Sequence, residues 1–243
     1  MSELLNNTFN AYMPEWIDNM LACKDLKPRD VTLMEFKKKI SRVCLVGTGP
    51  SYNPCFFNDD FIVTNQSSYL RYIRDTGFYP DLCVITDANT DILHMVKNEE
   101  AQGLPMFAIA TLADTRLFLA LPFTFAFHHP YVRGIKILDM LFDKLQPETV
   151  RTSIVQVGNS MNAALLLMAH LMTVGTIPGV ELHLNGVDFS YADGTVTEQF
   201  RLYAEDNKKI VSMLRENDYT ITKEPGPSPL NEWILQETPE EAQ

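Results

Sequence analysis

The feature that most constrains this chain is a succession of short runs that are apolar at nearly every position. They are Val43-Cys44-Leu45-Val46, Phe61-Ile62-Val63, Leu82-Cys83-Val84-Ile85, Met106-Phe107-Ala108-Ile109, Ser153-Ile154-Val155-Gln156-Val157 and Val180-Glu181-Leu182-His183-Leu184. A strand with one wet face alternates apolar and polar residues. A run with no such alternation is covered on both faces, as in a parallel sheet flanked by helices. Helical spacing over 67–75, 90–98, 134–145 and 159–174 fills the gaps between the runs. Strands alternating with helices predict an α/β fold: a Rossmann-like, doubly wound, mainly parallel sheet flanked by helices. Phe123-Thr124-Phe125-Ala126-Phe127 reads as one more strand or as part of a loop.

Three regions follow from this pattern. Residues 1–39 form an N-terminal helical segment, with Met13, Trp16, Ile17, Met20 and Leu21 at helical spacing until Pro28 breaks it. Asp30 can cap a second short helix. Residues 40–218 form the Rossmann-like nucleotide-binding domain, which closes with a helix over about 196–217. Residues 219–243 read as an extended C-terminal tail, because Pro225-Gly226-Pro227-Ser228-Pro229 cannot continue a helix.

Charge and cysteine usage narrow the function classes. With 31 acidic and 20 basic residues the formal charge is -11, and the densest basic cluster is Lys37-Lys38-Lys39. Phosphate-backbone binding draws its affinity from Lys and Arg, so the composition argues against nucleic acid as the main partner. Cys23, Cys44, Cys55 and Cys83 form no CxxC pair, and two of them lie in apolar runs. Buried thiols in a reducing, cytoplasmic setting are the expectation. No basic region followed by an apolar core opens the chain, and the apolar stretch 163–174 is too short to span a bilayer. A homo-oligomer remains open.

Ligands of open parallel sheets bind beyond the carboxyl ends of the strands. That rule selects a few polar stretches. Gly47, Gly49, Pro50 and Ser51 follow the first run; glycines there permit a tight turn and close approach of N–H groups to an anion. The third glycine of a dinucleotide fingerprint is replaced by Tyr52, and no GK[ST] follows, so neither an NAD site nor a P-loop is indicated. Asn65 and Gln66 end the second run and offer amide groups suited to a base edge or sugar. Asp87 ends the third, where a carboxylate can hold Mg²⁺ on a nucleotide phosphate or cap the next helix. Gly158, Asn159 and Ser160 open the long apolar helix, where they can cap it, hold phosphate on its N-terminus, or do both. Asp188 and Tyr191 stand past the last run. Adjacent His128 and His129 point to opposite faces if they lie in a strand, so they would not share a metal there.

In order, Val-Gly-Thr-Gly-Pro-Ser (46–51), Thr-Asn-Gln (64–66), Pro-Asp-Leu-Cys-Val-Ile-Thr-Asp (80–87), Gly-Asn-Ser-Met-Asn-Ala-Ala (158–164) and Leu-Asn-Gly-Val-Asp-Phe (184–189) resemble the MptE-like Rossmann superfamily. That group includes archaeal 6-hydroxymethylpterin diphosphokinases and Maf flagellin glycosyltransferases, and the motifs are also similar to those of CMP-sialic-acid-dependent sialyltransferases. The resemblance spans roughly residues 40 to 195. It implies a nucleotide-linked substrate, a CMP-sugar or ATP. The 47–51 loop would face phosphate or ribose, Asn65 and Gln66 the nucleotide or donor sugar, and Asn159 and Ser160 would lie under the nucleotide. Asp188 and Tyr191 would lie near the transferred group, and Asp87 at the Mg²⁺ position of the diphosphokinases. Two departures stand out: Asp87 and Asp91 are four apart rather than closely spaced, and no histidine follows His183. A catalytic base would then be Asp188, His128 or His129.

Three functions are consistent with these residues. The first is a nucleotide-sugar-dependent glycosyltransferase with a CMP-linked acidic sugar as one donor. The second is an ATP- and Mg-dependent diphosphokinase acting on a pterin-like alcohol. The third is a non-catalytic nucleotide- or sugar-binding module.

Overall fold

The structure, a computed structural model, describes residues 3–36, 39–54, 60–87, 105–129, 136–154, 159–178 and 181–234. Its strands are β1 (Arg42–Val46), β2 (Asp60–Asn65), β3 (Leu82–Ile85), β4 (Met106–Ala110), β5 (Thr124–Phe127), β6 (Glu181–Asn185) and β7 (Thr220–Lys223). They form one seven-stranded sheet in the order β5-β4-β3-β2-β1-β6-β7. Each neighbouring pair is parallel. The chain winds outward from β1 to β5, then returns to lay β6 along the free side of β1. The winding direction therefore reverses between β1 and β6.

The helices are α1 (Glu3–Leu26), α2 (Gln66–Thr76), α3 (Arg116–Ala120), α4 (Lys136–Leu145), α5 (Ser160–Thr173), α6 (Glu198–Glu216) and α7 (Asn231–Ile234). Strand alternation sorts the apolar side chains to two faces. Val43, Leu45, Val63, Val84 and Leu184 join a core with α1, α4, α5 and α6. Cys83, Ile85, Phe107 and Ile109 meet Tyr69 and Ile73 of α2 and Leu117 of α3, while Cys44, Val46 and Ile62 meet Tyr72 of α2. Covering both faces explains the uninterrupted apolar runs, and each fully buried Leu, Val or Phe contributes about 1.5–3 kcal/mol. The Rossmann-like α/β architecture is thus the one the sequence predicts.

Local rules account for the element ends. Trp16, Met20 and Cys23 recur on the buried stripe of α1, and the helix stops at Leu26, before Lys27 at φ 50 and Pro28. The short helix expected at Asp30 is a single 3-10 turn, Val31–Leu33, with the Asp30 side chain accepting from Thr32 N. The same carboxylate accepts from the N–H groups of Arg151 (2.6 Å) and Thr152 (2.8 Å), so it fastens the N-terminal segment to the sheet end. Burial pushes its pKa up, but the bonds from Thr152 and Thr32 together leave it below the usual carboxylate range.

Two ambiguous segments are resolved and two remain outside the described residues. Thr124–Phe127 is a strand, β5. Of the run 153–157, Ser153 bridges His128 in parallel, extending the sheet past β5, while 155–157 are not among the described residues. The helix expected over 90–98 also lies outside them. The stretch expected as an extended tail begins with β7, which pairs with β6, and then folds back over the sheet as far as α7. Thr-Ile-Thr in β7 is a short β-branched run with the pleat's alternation. Cys23, Cys44 and Cys83 are buried free thiols, and burial pushes Cys23 and Cys44 up to about 12. Among the described residues no helix is long and apolar enough to cross a membrane.

Candidate functional site

The reversal of winding at β1 and β6 opens a cavity of about 600 Å³ at the carboxyl ends of these strands. Its walls come from three directions. Thr48, Gly49 and Pro50 follow β1; Asn65, Ser67 and Arg71 belong to the end of β2 and to α2; Asn159, Ser160 and Met161 open α5. The segment 186–192 after β6 and Phe200 of α6 close it. Of the sequence-predicted residues, Gly49, Pro50, Asn65, Asn159, Ser160, Asp188 and Tyr191 line this one cavity. Gly47 and Ser51 sit behind it, and Gly158 lies outside the described residues.

The two central loops are welded to each other. Gly47 N donates to Asn185 O and Gly49 N to Gly186 O. The Asn185 side chain holds Asn53 at both ends, accepting from its N–H at 2.8 Å and donating to its carbonyl at 2.7 Å. A Cβ on Gly47 would meet Gly186 O at 2.3 Å, and one on Gly49 would meet Asp188 Oδ2 at 2.5 Å. The glycines are therefore required by loop-on-loop packing. A side chain at Gly49 would strike the β6 loop, while its backbone lines the cavity.

Asp188 is the largest correction to the expected roles. Its side chain is fully buried and accepts from Ser51 N and Ser51 Oγ, each at 2.7 Å. Lys223 Nζ, equally buried on β7, sits 2.7 Å from its Oδ1. A carboxylate so committed is a structural anchor, and a solvent-facing base at Asp188 does not fit this geometry. The C-terminal segment completes the anchor: Ser228 Oγ donates to Asp188 O, Ser190 Oγ to Pro227 O, and Gly226 packs on Ser51. Phe189 holds φ 52 in the middle of this loop, a strained value for a bulky residue that clusters at functional turns.

The remaining candidates divide similarly. Asn65 caps α2 and donates from Nδ2 to Ser160 Oγ at 2.8 Å, linking the first turns of α2 and α5 across the cavity floor. Gln66 accepts from Thr86 N at 3.0 Å and does not line the cavity. Asn159 caps α5, its Oδ1 taking the N–H groups of Met161 and Asn162, so the α5 N-terminus has already satisfied two of its donors. Tyr191 is 54% exposed and its ring lies 5.2 Å from that of Phe200 on the cavity wall.

His128 and His129 sit past β5, four strands from β1, about 19 Å away at the usual inter-strand spacing. His128 Nδ1 lies 3.0 Å from Thr111 Oγ1, and His129 Nδ1 donates to Ile154 O at 2.7 Å. Burial lowers the pKa of His129 although the Ile154 bond opposes it, so the ring is neutral at pH 7. Distance and burial remove both histidines from the role of base in this cavity. Asp87 is exposed at the end of β3, outside the cavity. Among the described residues no three His, Cys, Asp or Glu side chains converge on a metal position. Asp91, the companion of Asp87 in the sequence, lies outside the described residues.

Sequence reasoning passed over Arg71. It lies four residues after Ser67 on the same face of α2, and that spacing from a strand-end residue was the available signal. Its Nη1 donates to Thr48 O at 3.0 Å, and its guanidinium stacks 4.1 Å from the Tyr52 ring.

The arrangement as a whole defines a Rossmann-like α/β domain with a cavity at the topological switch point, where such sheets commonly bind ligands. No protein-family model and no curated protein matches the sequence. Among solved structures, the chain is similar to the MAf glycosyltransferase from Magnetospirillum magneticum AMB-1, with TM-score 0.55 and 14% sequence identity. The match covers 94% of this chain and 41% of that one, so the chain spans about two fifths of its length. At that identity the likeness establishes a shared fold.

Proposed function

We propose that the cavity between β1 and β6 binds a nucleotide-linked sugar and that the chain is a glycosyltransferase-like domain. The observation that carries this reading is the cavity itself. Its roughly 600 Å³ suits a nucleotide-sized ligand, and it lies where doubly wound sheets hold their ligands. The fold shared with a glycosyltransferase supports it. The relation to diphosphokinases and sialyltransferases rests on the sequence motifs alone. In transfer, the acceptor oxygen would attack the anomeric carbon, the bond from that carbon to the phosphate oxygen would break, and the acceptor proton would pass to solvent water or to the departing phosphate. Thr48 and Ser160, whose N–H groups have no acceptor among the described residues, line the wall that would face the departing phosphate.

A second reading, binding without turnover, is favoured by one observation: Asp188, the carboxylate on the cavity wall, is consumed by Ser51 and Lys223. Thermal unfolding with CMP, ATP, GTP and UDP, with and without Mg²⁺, tests the proposal. A ligand at a hundred times its Kd stabilises by about 2.7 kcal/mol. The expected result is a rise in Tm with CMP that needs no Mg²⁺. A rise with ATP that requires Mg²⁺ transfers the reading to the diphosphokinases, and no rise with any nucleotide at millimolar concentration overturns it.

A further inference from the structure

We propose that Arg71 is the specificity-determining residue of the β1/β6 cavity: it selects ligands that carry a phosphate or diphosphate group. The inference deepens the nucleotide reading but stands on its own geometry. Arg71 and Asp188 are the charged side chains on the cavity wall among the described residues. Asp188 is neutralised at 2.7 Å by Lys223. The charge that remains on the wall is that of Arg71, whose ion pair with Asp75 is long and partly exposed, in a protein whose formal charge is -11.

The guanidinium is preorganised for this task. Tyr52 supports one face, Thr48 O takes Nη1, and Asp75 Oδ2 pairs with Nε at 3.6 Å, an ion pair longer than a hydrogen bond. Nη2 makes no hydrogen bond among the described residues. A guanidinium held by a ring and a carbonyl keeps its charge for a ligand, whereas one forked onto a carboxylate would not. Arg116 shows the contrast: its Nε and Nη2 are both spent on Asp114, at 2.9 and 2.6 Å. Thr48, which Arg71 holds, lies on the same wall, and Tyr191 and Phe200 leave an aromatic side for a base or sugar ring.

Calorimetric titration with inorganic pyrophosphate tests the assignment without assuming which nucleotide binds. Arg71→Gln should weaken pyrophosphate about ten- to a hundredfold, the range for losing a charge-assisted hydrogen bond, and Arg71→Lys should fall between. Asp75→Asn removes the competing carboxylate and should tighten binding about two- to threefold, a gain that misfolding cannot produce. Unchanged affinity in Arg71→Gln, or no pyrophosphate binding by the wild type, overturns the assignment. Pyrophosphate binding that depends on Arg71 while CMP, ATP, GTP and UDP all fail to bind would retain the anion site and remove the nucleotide reading.

Discussion

Two places along the sheet obey the same rule and come out differently. Beyond β1 and β6, polar strand ends surround a cavity. Beyond β4 and β5, equally polar strand ends are packed shut: Thr111 bonds His128, His129 bonds Ile154, and both histidines are buried. The difference lies in winding. From β2 to β5 each strand is laid beside its predecessor, so the winding runs in one direction. At β1 the chain departs toward β2 on one side and arrives as β6 on the other, and the helices that flank the gap, α2 and α5, sit on opposite faces of the sheet. A polar residue at a strand end is thus a ligand candidate only where the topology leaves a gap.

The contrast can be broken most forcefully at the buried pair behind the cavity. Lys223→Met strands the Asp188 carboxylate without its counter-charge and should cost about 3–5 kcal/mol of stability in urea unfolding. Adding Asp188→Asn should recover part of the loss, because the uncompensated charge is gone. A loss below about 1 kcal/mol in Lys223→Met would mean that the C-terminal segment is not anchored by this pair.

At the closed end, His129 makes stability depend on pH. Its folded-state pKa lies below the ordinary value of 6.5, burial being the main cause. Between those two values the unfolded chain binds more protons than the folded one. Stability is therefore complete above about pH 6.5 and falls as pH drops toward the folded pKa, by at most about 1.4 kcal/mol per pH unit. His129→Asn should flatten the profile between pH 7 and 5, and a profile identical to the wild type would assign the dependence to other groups.

The smallest effect is expected at Asp87, which lies on neither side of the contrast. Asp87→Asn should change unfolding free energy by no more than about 0.5 kcal/mol and leave nucleotide affinity unaltered with or without Mg²⁺. A Mg²⁺-specific loss of affinity would place a metal there after all and enlarge the site toward β3.

Much of the candidate site was legible as strand ends. The lining residues Gly49, Pro50, Asn65, Asn159, Ser160, Asp188 and Tyr191 all follow apolar runs. Their roles were less legible, because a role depends on what a side chain meets. Asp188 looks like a free carboxylate until Lys223, 35 positions later on β7, is brought against it. β7 escaped notice for a related reason: four residues of Thr, Ile and Lys carry little apolar signal, and their pairing comes from the exposed edge of β6. Arg71 is one charge among several on a surface-patterned helix, and its importance appears only once the cavity lies beside it.

The sequence by itself determined the architecture. Apolar runs dry on both faces, alternating with helical segments, fit a parallel sheet between helices, and Asn65, Asn159 and Asp30 cap their helical turns wherever those turns sit. Tertiary structure alone decided which strand ends face a ligand and which charges remain to meet one. Strand order is set by how long connections pack, and a charge keeps its effect only if the fold brings no opposite charge against it. Asp188 met Lys223 at 2.7 Å in the dry interior and was silenced; Arg71 met a ring, a carbonyl and, at 3.6 Å in a partly exposed pair, the Asp75 carboxylate, which leaves its Nη2 for a ligand.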